Sequence, residues 1–268
     1  MKKIVFAFVA VVLAACTGGN ELVIVHLNDT HSNIDPERSG EYKGRGGVIE
    51  HAAFIDSVRN ASGASNVLLL HGGVFSQGTS YFTQMGGDNE IDVLNATGYD
   101  VVTLGNHEFD NGIVELARRL SSLDAKVVCA NYDFTGTPLE PYVKPYTFVK
   151  KAGKKIGIIG LLTDISRVVD IKLVGDIKYQ EPAPVVNHYA EYLEDEEDCV
   201  LGFCLSHLGY SGDCRLAAEV SDIDAIVGGH SHTDLAEMTV VKDKEGDDVI
   251  IVQDGCWGLG IGELKVRF

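Results

Sequence analysis

From Leu22 onward the chain alternates short apolar, β-branched runs with stretches of helical spacing. Leu22 to Leu27 predicts a first strand and Val48 to Arg59 a helix. Val67 to Leu70 predicts a second buried strand, and Asn89 to Ala96 a short helix ahead of the run Val101 to Leu104. Asn111 to Leu123 carries helical spacing and gives way to a strand over Lys126 to Ala130. Tyr146 to Lys150 and Lys155 to Leu161 flank Ala152-Gly153-Lys154, the signature of a hairpin turn. Ala183 to Leu193 reads as a helix, and Val200 to Leu205 and Ile223 to Val227 as two more buried strands. The closing runs Met238 to Val241, Val249 to Val252 and Ile261 to Phe268 predict an antiparallel meander. Strands alternating with helices and then closing on β elements predict an α/β fold of two packed β-sheets flanked by helices. There is no internal repeat and no Pro/Gly/Ser linker, so one domain is expected over residues 20–268.

The polar positions are more telling than the apolar ones, because five of the apolar runs end in a polar set. These ends are Asp29-Thr30-His31, Gly72-Gly73-Val74, Gly105-Asn106-His107-Glu108, Ser206-His207 and Gly229-His230-Ser231-His232. In open α/β sheets, ligands bind beyond the carboxyl ends of the strands. Asp29 and His31 stand two apart, so extended backbone would point both the same way. His230 and His232 repeat that spacing after Gly228-Gly229, where the absence of side chains lets the backbone approach a metal. Asn106 adds a neutral carbonyl oxygen and His207 a further imidazole. Carboxylate, amide and imidazole without thiolate suit Mn, Zn, Fe, Co or Mg rather than a structural zinc. Together the ends predict a site for two divalent cations. His107 and Asp110 stand three apart in a turn and can meet; a capping or core contact is the other reading of His107.

Composition narrows the partners. The net charge of −17 argues against nucleic acid, whose phosphate backbone needs a basic surface, while leaving small phosphorylated substrates open. The N-terminus reads as a targeting segment: basic Lys2 and Lys3, apolar Ile4 to Leu13, then Leu13-Ala14-Ala15-Cys16. That run is shorter than the about 20 residues a membrane-spanning helix needs. The remaining cysteines, Cys129, Cys199, Cys204, Cys214 and Cys256, form no C-x-x-C pair and predict buried thiols rather than a disulfide framework. The acidic run 194–198 reads as a solvated face. His51 and His188 are expected at packing or surface positions, His26 hydrogen-bonded behind the site, and Trp257 in the core.

Two resemblances extend this reading. Leu-Ala-Ala-Cys resembles the lipobox of bacterial lipoproteins, which implies a signal peptide over 1–15, lipidation of Cys16, and an exported protein anchored to the cell envelope. The motifs His26-Leu27-Asn28-Asp29-Thr30-His31, Gln77-Gly78, Gly105-Asn106-His107-Glu108-Phe109-Asp110, His207-Leu208-Gly209, Gly229-His230-Ser231-His232, Gln253-Asp254-Gly255 and Gly262 together resemble the calcineurin-like metallophosphoesterases, in their bacterial 5′-nucleotidase branch. The resemblance implies a four-layer metallophosphatase sandwich. It also implies one metal on Asp29, His31 and His232, and a second on Asn106, His207 and His230. Asn106 and His107 would meet the substrate, and His107, held by Asp110, would stabilise the transition state or protonate the leaving oxygen. The implied reaction is attack of a metal-activated water on a nucleotide phosphate. Mononucleotides, cyclic nucleotides and nucleotide sugars all remain open as substrates.

Three departures accompany the resemblance. Val74 stands where the family places an aspartate between the two metals, leaving Asp29 as the one carboxylate among the ligands. His71 replaces an acid and is expected to face away from the site. The family's C-terminal nucleotidase domain has no counterpart before Phe268. The alternative reading is therefore a degenerate, non-catalytic lipoprotein that binds metal or phosphate beside a separate protein carrying that domain.

Overall fold

A computed structural model describes residues 21–268 together with the short strand Val9–Ala10. The expected cleavage site and Cys16, the expected point of lipidation, lie outside the described residues. Two β-sheets pack face to face. In the first, the strands β1 (Glu21–Leu27), β2 (Val67–His71), β3 (Val101–Thr103) and β4 (Lys126–Val128) run parallel in that order. The second sheet runs parallel through β5 (Lys154–Leu162), β6 (Leu201–His207), β7 (Ala225–Val227) and β8 (Asp248–Val252). The last strand, β9 (Gly262–Arg267), returns to the first sheet and pairs antiparallel with β1.

The unbroken apolar runs follow from burial on both faces. In β1, Leu22 and Ile24 point between the sheets, where they join Leu68 and Leu70 of β2 and Phe203 and Leu205 of β6. Val23, Val25 and Leu27 point the other way, toward helix α1 (Val48–Ser62) and helix α2 (Asp88–Thr97), through Ile55, Ile91 and Leu94. The second sheet repeats this division. Ile159, Leu161, Cys204 and Ile226 back onto helix α4 (Pro182–Asp195) and helix α5 (Tyr210–Glu219), while helix α3 (Gly112–Leu120) covers the first sheet. The result is the four-layer helix–sheet–sheet–helix arrangement expected from the sequence.

The tail departs from the predicted meander. Thr239–Lys242 and β8 do form an antiparallel pair, but β8 is parallel to β7, and β9 crosses to the other sheet. Hydrophobic periodicity reports that a segment is buried and extended, and it carries no information on which edge receives it. Trp257 lies in this crossover and is 43% exposed, so it is not a core residue. His51 is a packing residue, its Nε2 2.7 Å from the Gly258 carbonyl. All five described cysteines are free, and Cys129, Cys199 and Cys204 are buried as expected. Among the described residues no helix is long and apolar enough to cross a membrane.

The sheets touch most closely at Gly160. Its carbonyl accepts the Ala130 N–H at 2.7 Å, and a Cβ at this position would collide with the Val128 carbonyl. Gly160→Ala should therefore act as overpacking and cost about 1–3 kcal/mol. The measurement is a urea unfolding curve, expected to show a lower midpoint at unchanged slope; an unmoved midpoint would contradict the close approach.

Candidate active site

The loops that follow β1, β2, β3, β6 and β7 converge at one end of the two sheets. Loop 29–32 lies along loop 73–75, with the Asp29, His31 and Ser32 N–H groups donating to the Gly73, Val74 and Phe75 carbonyls at 3.0–3.1 Å. Neither loop is extended. Asp29 (φ 48°), His31 (φ 50°), Ser32 (φ 55°), Val74 (φ 51°), Gln77 (φ 70°), His230 (φ 77°) and His232 (φ 55°) all occupy the left-handed region. For β-branched Val74 this conformation is strained, and such strain gathers where surrounding structure over-determines the backbone. The clamp is the buried Glu108 carboxylate. It accepts the N–H groups of Val74 (2.9 Å), Ser76 (3.0 Å) and Gly105 (2.7 Å). Buried Arg119 braces it by donating to the Ser76 hydroxyl at 2.8 Å and the Glu108 carbonyl at 2.9 Å.

Two groups of side chains meet inside this frame. Asp29, His31 and His232 bring one carboxylate oxygen and two imidazole nitrogens within 4.8 Å of one another. The His31 and His232 Nε2 atoms are 3.1 Å apart, and His232 Nε2 is 3.5 Å from Asp29 Oδ1. In the second group, Asn106 Oδ1 lies 3.3 Å from His207 Nε2 and 3.2 Å from His230 Nδ1. Asp29 Oδ1 links the two, 3.8 Å from His207 Nε2. By spacing alone, Asp29 with His31 and His230 with His232 are expected to act through extended backbone. The left-handed turns replace that geometry, and His230 and His232 fall into different groups.

Backbone carbonyls fix the imidazoles. His31 Nδ1 donates to the Gln77 carbonyl (3.1 Å) and His207 Nδ1 to the Gly72 carbonyl (2.7 Å). Each therefore turns a bare Nε2 lone pair toward the site. In the first group, two imidazole nitrogens and a carboxylate oxygen face one another; in the second, an amide oxygen faces an imidazole lone pair. A carboxylate, an amide oxygen and imidazole nitrogens converging on one space are a donor set that suits a cation, so the residues present fit divalent metal ions.

Electrostatics agree with this arrangement. Burial pushes the Asp29 carboxyl upward, but His207 and hydrogen bonds from His232 and Asn28 offset it and hold the group at about 2. Burial lowers His31, and lowers His230 to about 4, so both present lone pairs at neutral pH. His107 goes the opposite way, raised by its hydrogen bond to Asp110, with Nδ1 2.8 Å from Oδ2. Its ring centre lies 5.4 Å from that of His31. His26 sits behind the site against Asp254.

Val74 is 1% exposed. A Cβ on Gly105 would collide with Val74 Cγ2 and lie 2.9 Å from His207 Nε2, so an apolar side chain stands beside the second group. Gly229 is tight for a related reason: a Cβ there would lie 2.6 Å from the Gly72 carbonyl oxygen and 3.1 Å from Asp29 Oδ2. His71 Nε2 lies 3.1 Å from the Thr30 hydroxyl, beneath the 29–32 loop, with its ring against Phe75 and Tyr99. Sequence reasoning missed Glu108 as a clamp, Arg119 as its brace, and Asn28, which bonds Asp29 Oδ2 and the Gly255 carbonyl, each at 2.8 Å.

Comparison with known proteins places this geometry. The calcineurin-like phosphoesterase model matches residues 22–234. A solved 5′-nucleotidase precursor from Thermus thermophilus superposes with a TM-score of 0.84 at 36% identity, over 92% of this chain and 51% of the other. The NAD nucleotidase of Haemophilus influenzae gives 0.82 at 31% identity, over 92% and 47%. A probable 5′-nucleotidase of Treponema pallidum is 32% identical over 94% of this chain and 46% of its own length. The chain spans about half the length of these relatives.

Behind the second group, the Ser206 hydroxyl donates to buried Asp213 Oδ1 at 2.5 Å. Burial raises the Asp213 carboxyl to about 7 from 3.8. Between those values the folded state keeps a proton that the unfolded chain has released, so stability falls as pH rises through that window. The loss is on the order of 4 kcal/mol. Asp213→Asn should flatten it; urea unfolding at pH 5 and pH 8 tests this, and an equal drop in both proteins would refute it.

Proposed function

Because the chain belongs to the calcineurin-like phosphoesterase family, we propose that it is a metal-dependent phosphoester hydrolase of the 5′-nucleotidase type, acting on small phosphorylated substrates such as nucleotides. The observation that carries this reading is the convergence of a carboxylate and two imidazole nitrogens from Asp29, His31 and His232 beside the amide oxygen of Asn106 and the imidazole nitrogens of His207 and His230. Divalent cations held there supply Lewis acidity toward a phosphoryl oxygen and toward water. The chain's own groups do the rest. Asp29 supplies negative charge, and Asn106 and His107 face the phosphate. His107, whose protonated form is favoured by its hydrogen bond to Asp110, holds a proton for the leaving ester oxygen. The nucleotide preference is supported by the relatives' names.

Val74 sets the level of activity in this proposal. With no carboxylate there, cations on the second group face only neutral ligands besides the shared Asp29. The Asp29–His31–His232 group should hold its ion more tightly than the other. Aspartate is close to valine in size and tolerates left-handed backbone better. Val74→Asp should therefore raise Mn²⁺ binding at the weaker position on the order of tenfold or more, as one charge contact of about 1.5–3 kcal/mol implies. Metal content after purification and hydrolysis of AMP or p-nitrophenyl phosphate with Mn²⁺ check this. Equal content and equal rates in both proteins would sink it. His107→Ala should lower kcat about 10²–10⁴-fold with metal content unchanged.

The proposal extends to location. Cleavage before Cys16 and its lipidation would hold the domain at the cell envelope, and Cys16→Ser should move the protein from the membrane fraction to the soluble one.

A further inference from the structure

Beneath the 29–32 loop lies a cavity of about 30 Å³, lined by Thr30, Ser32, His71, Phe75, Glu90 and Tyr99 among others. Three of these residues turn buried polar atoms toward no protein partner: Ser32 Oγ, His71 Nδ1 and both carboxylate oxygens of Glu90. The residues are only 2%, 1% and 3% exposed. Buried polar atoms in folded proteins are almost always hydrogen-bonded, and four such atoms around one cavity point to something that satisfies them together. The charge of Arg119 is felt by Glu90, but its Nη1 and Nη2 groups are committed to Ser76 and Glu108, and its Nε, though without a partner, makes no hydrogen bond to Glu90 and Arg119 does not line the cavity. The volume matches about two waters at roughly 10–15 Å³ each, and the site is polar enough to hold them. A multidentate metal does not suit it, since among the described residues the only close group of three such ligands is Asp29, His31 and His232.

We infer that this cavity is an internal hydration site whose one or two waters join Glu90 to Ser32 and His71, and that Glu90 thereby acts as a positioning residue for the loop carrying Asp29 and His31. The directions of the bonds follow from the chemistry of each group. A carboxylate oxygen of Glu90 accepts, so a water donates to it and accepts in turn from His71 Nδ1–H. His71 Nε2 is then the acceptor for the Thr30 hydroxyl, 3.1 Å away. Thr30 stands between Asp29 and His31, so the relay fixes the loop from below. Burial lowers the His71 imidazole to about 3, which keeps it neutral with one nitrogen bare. The inference concerns the metal-free chain and does not depend on the proposed hydrolysis.

The test is the tautomer of His71. Long-range ¹H–¹⁵N spectra of the metal-free full chain should show His71 neutral with the proton on Nδ1. Glu90→Gln, whose amide oxygen still accepts, should keep that form. Glu90→Leu should move the bare-nitrogen resonance from Nε2 to Nδ1. A wild-type Nε2–H tautomer, or an Nδ1–H tautomer unchanged in Glu90→Leu, overturns the proposal. Should Glu90→Leu fail to fold, crystals of the unmodified protein decide. Water density within hydrogen-bonding distance of Glu90, Ser32 and His71 supports the site. An empty cavity, or an anomalous peak there after a thallium soak, refutes it, the latter in favour of a monovalent cation.

Discussion

The site depends on one buried carboxylate bonded to backbone. Glu108 accepts the N–H groups of Val74, Ser76 and Gly105, and so ties the loop after β2 to the loop after β3. Burial raises its carboxyl above the usual range, and the three N–H donors work against that rise. A hydrogen bond to a charged group contributes about 1.5–3 kcal/mol net, and a strained residue costs about 1–3 kcal/mol. Three such bonds are enough to hold Val74 in a conformation it would otherwise leave. Loop 29–32 is then set in turn, because its N–H groups bond to the carbonyls of 73–75.

This arrangement separates shape from chemistry. The backbone carbonyls of Gln77 and Gly72 choose which nitrogen of His31 and His207 is bare, and Glu108 chooses where the loops lie. Burial keeps His31 and His230 neutral, while the same surroundings hold Asp29 ionised. His107, half-exposed and paired with Asp110, is the one histidine here driven toward its charged form. Neighbouring imidazoles therefore divide between offering lone pairs and holding a proton. Val74 shows that the side chain beside the second group can be apolar while the loop keeps its course.

The sequence made the sheets legible because burial on both faces leaves unbroken apolar runs, and those runs end where the polar set begins. It made the site residues legible through their residue types and their places at strand ends, although the spacing argument for Asp29 with His31 assumed an extended chain that the left-handed turns replace. Three things were less accessible. Glu108 looks like an ordinary turn acid, since acceptance of distant backbone N–H groups leaves no periodic trace. Arg119 sits among helical residues whose pattern suggests exposure. The destination of β9 was hidden because an apolar run fits any uncovered edge.

The crossover into β9 also orders events in time. Asn28 donates to the Gly255 carbonyl and accepts the Asp254 N–H, contacts 227 and 226 positions apart in the chain, and the Trp257 N–H closes on the Asp29 carbonyl at 2.7 Å. The loop carrying Asp29 and His31 is thus finished by residues more than two hundred positions later in the chain. A growing chain lacks those contacts, so Asp29 and His31 emerge long before the pocket around them is complete. Assembly of the centre becomes a report that the whole domain has arrived.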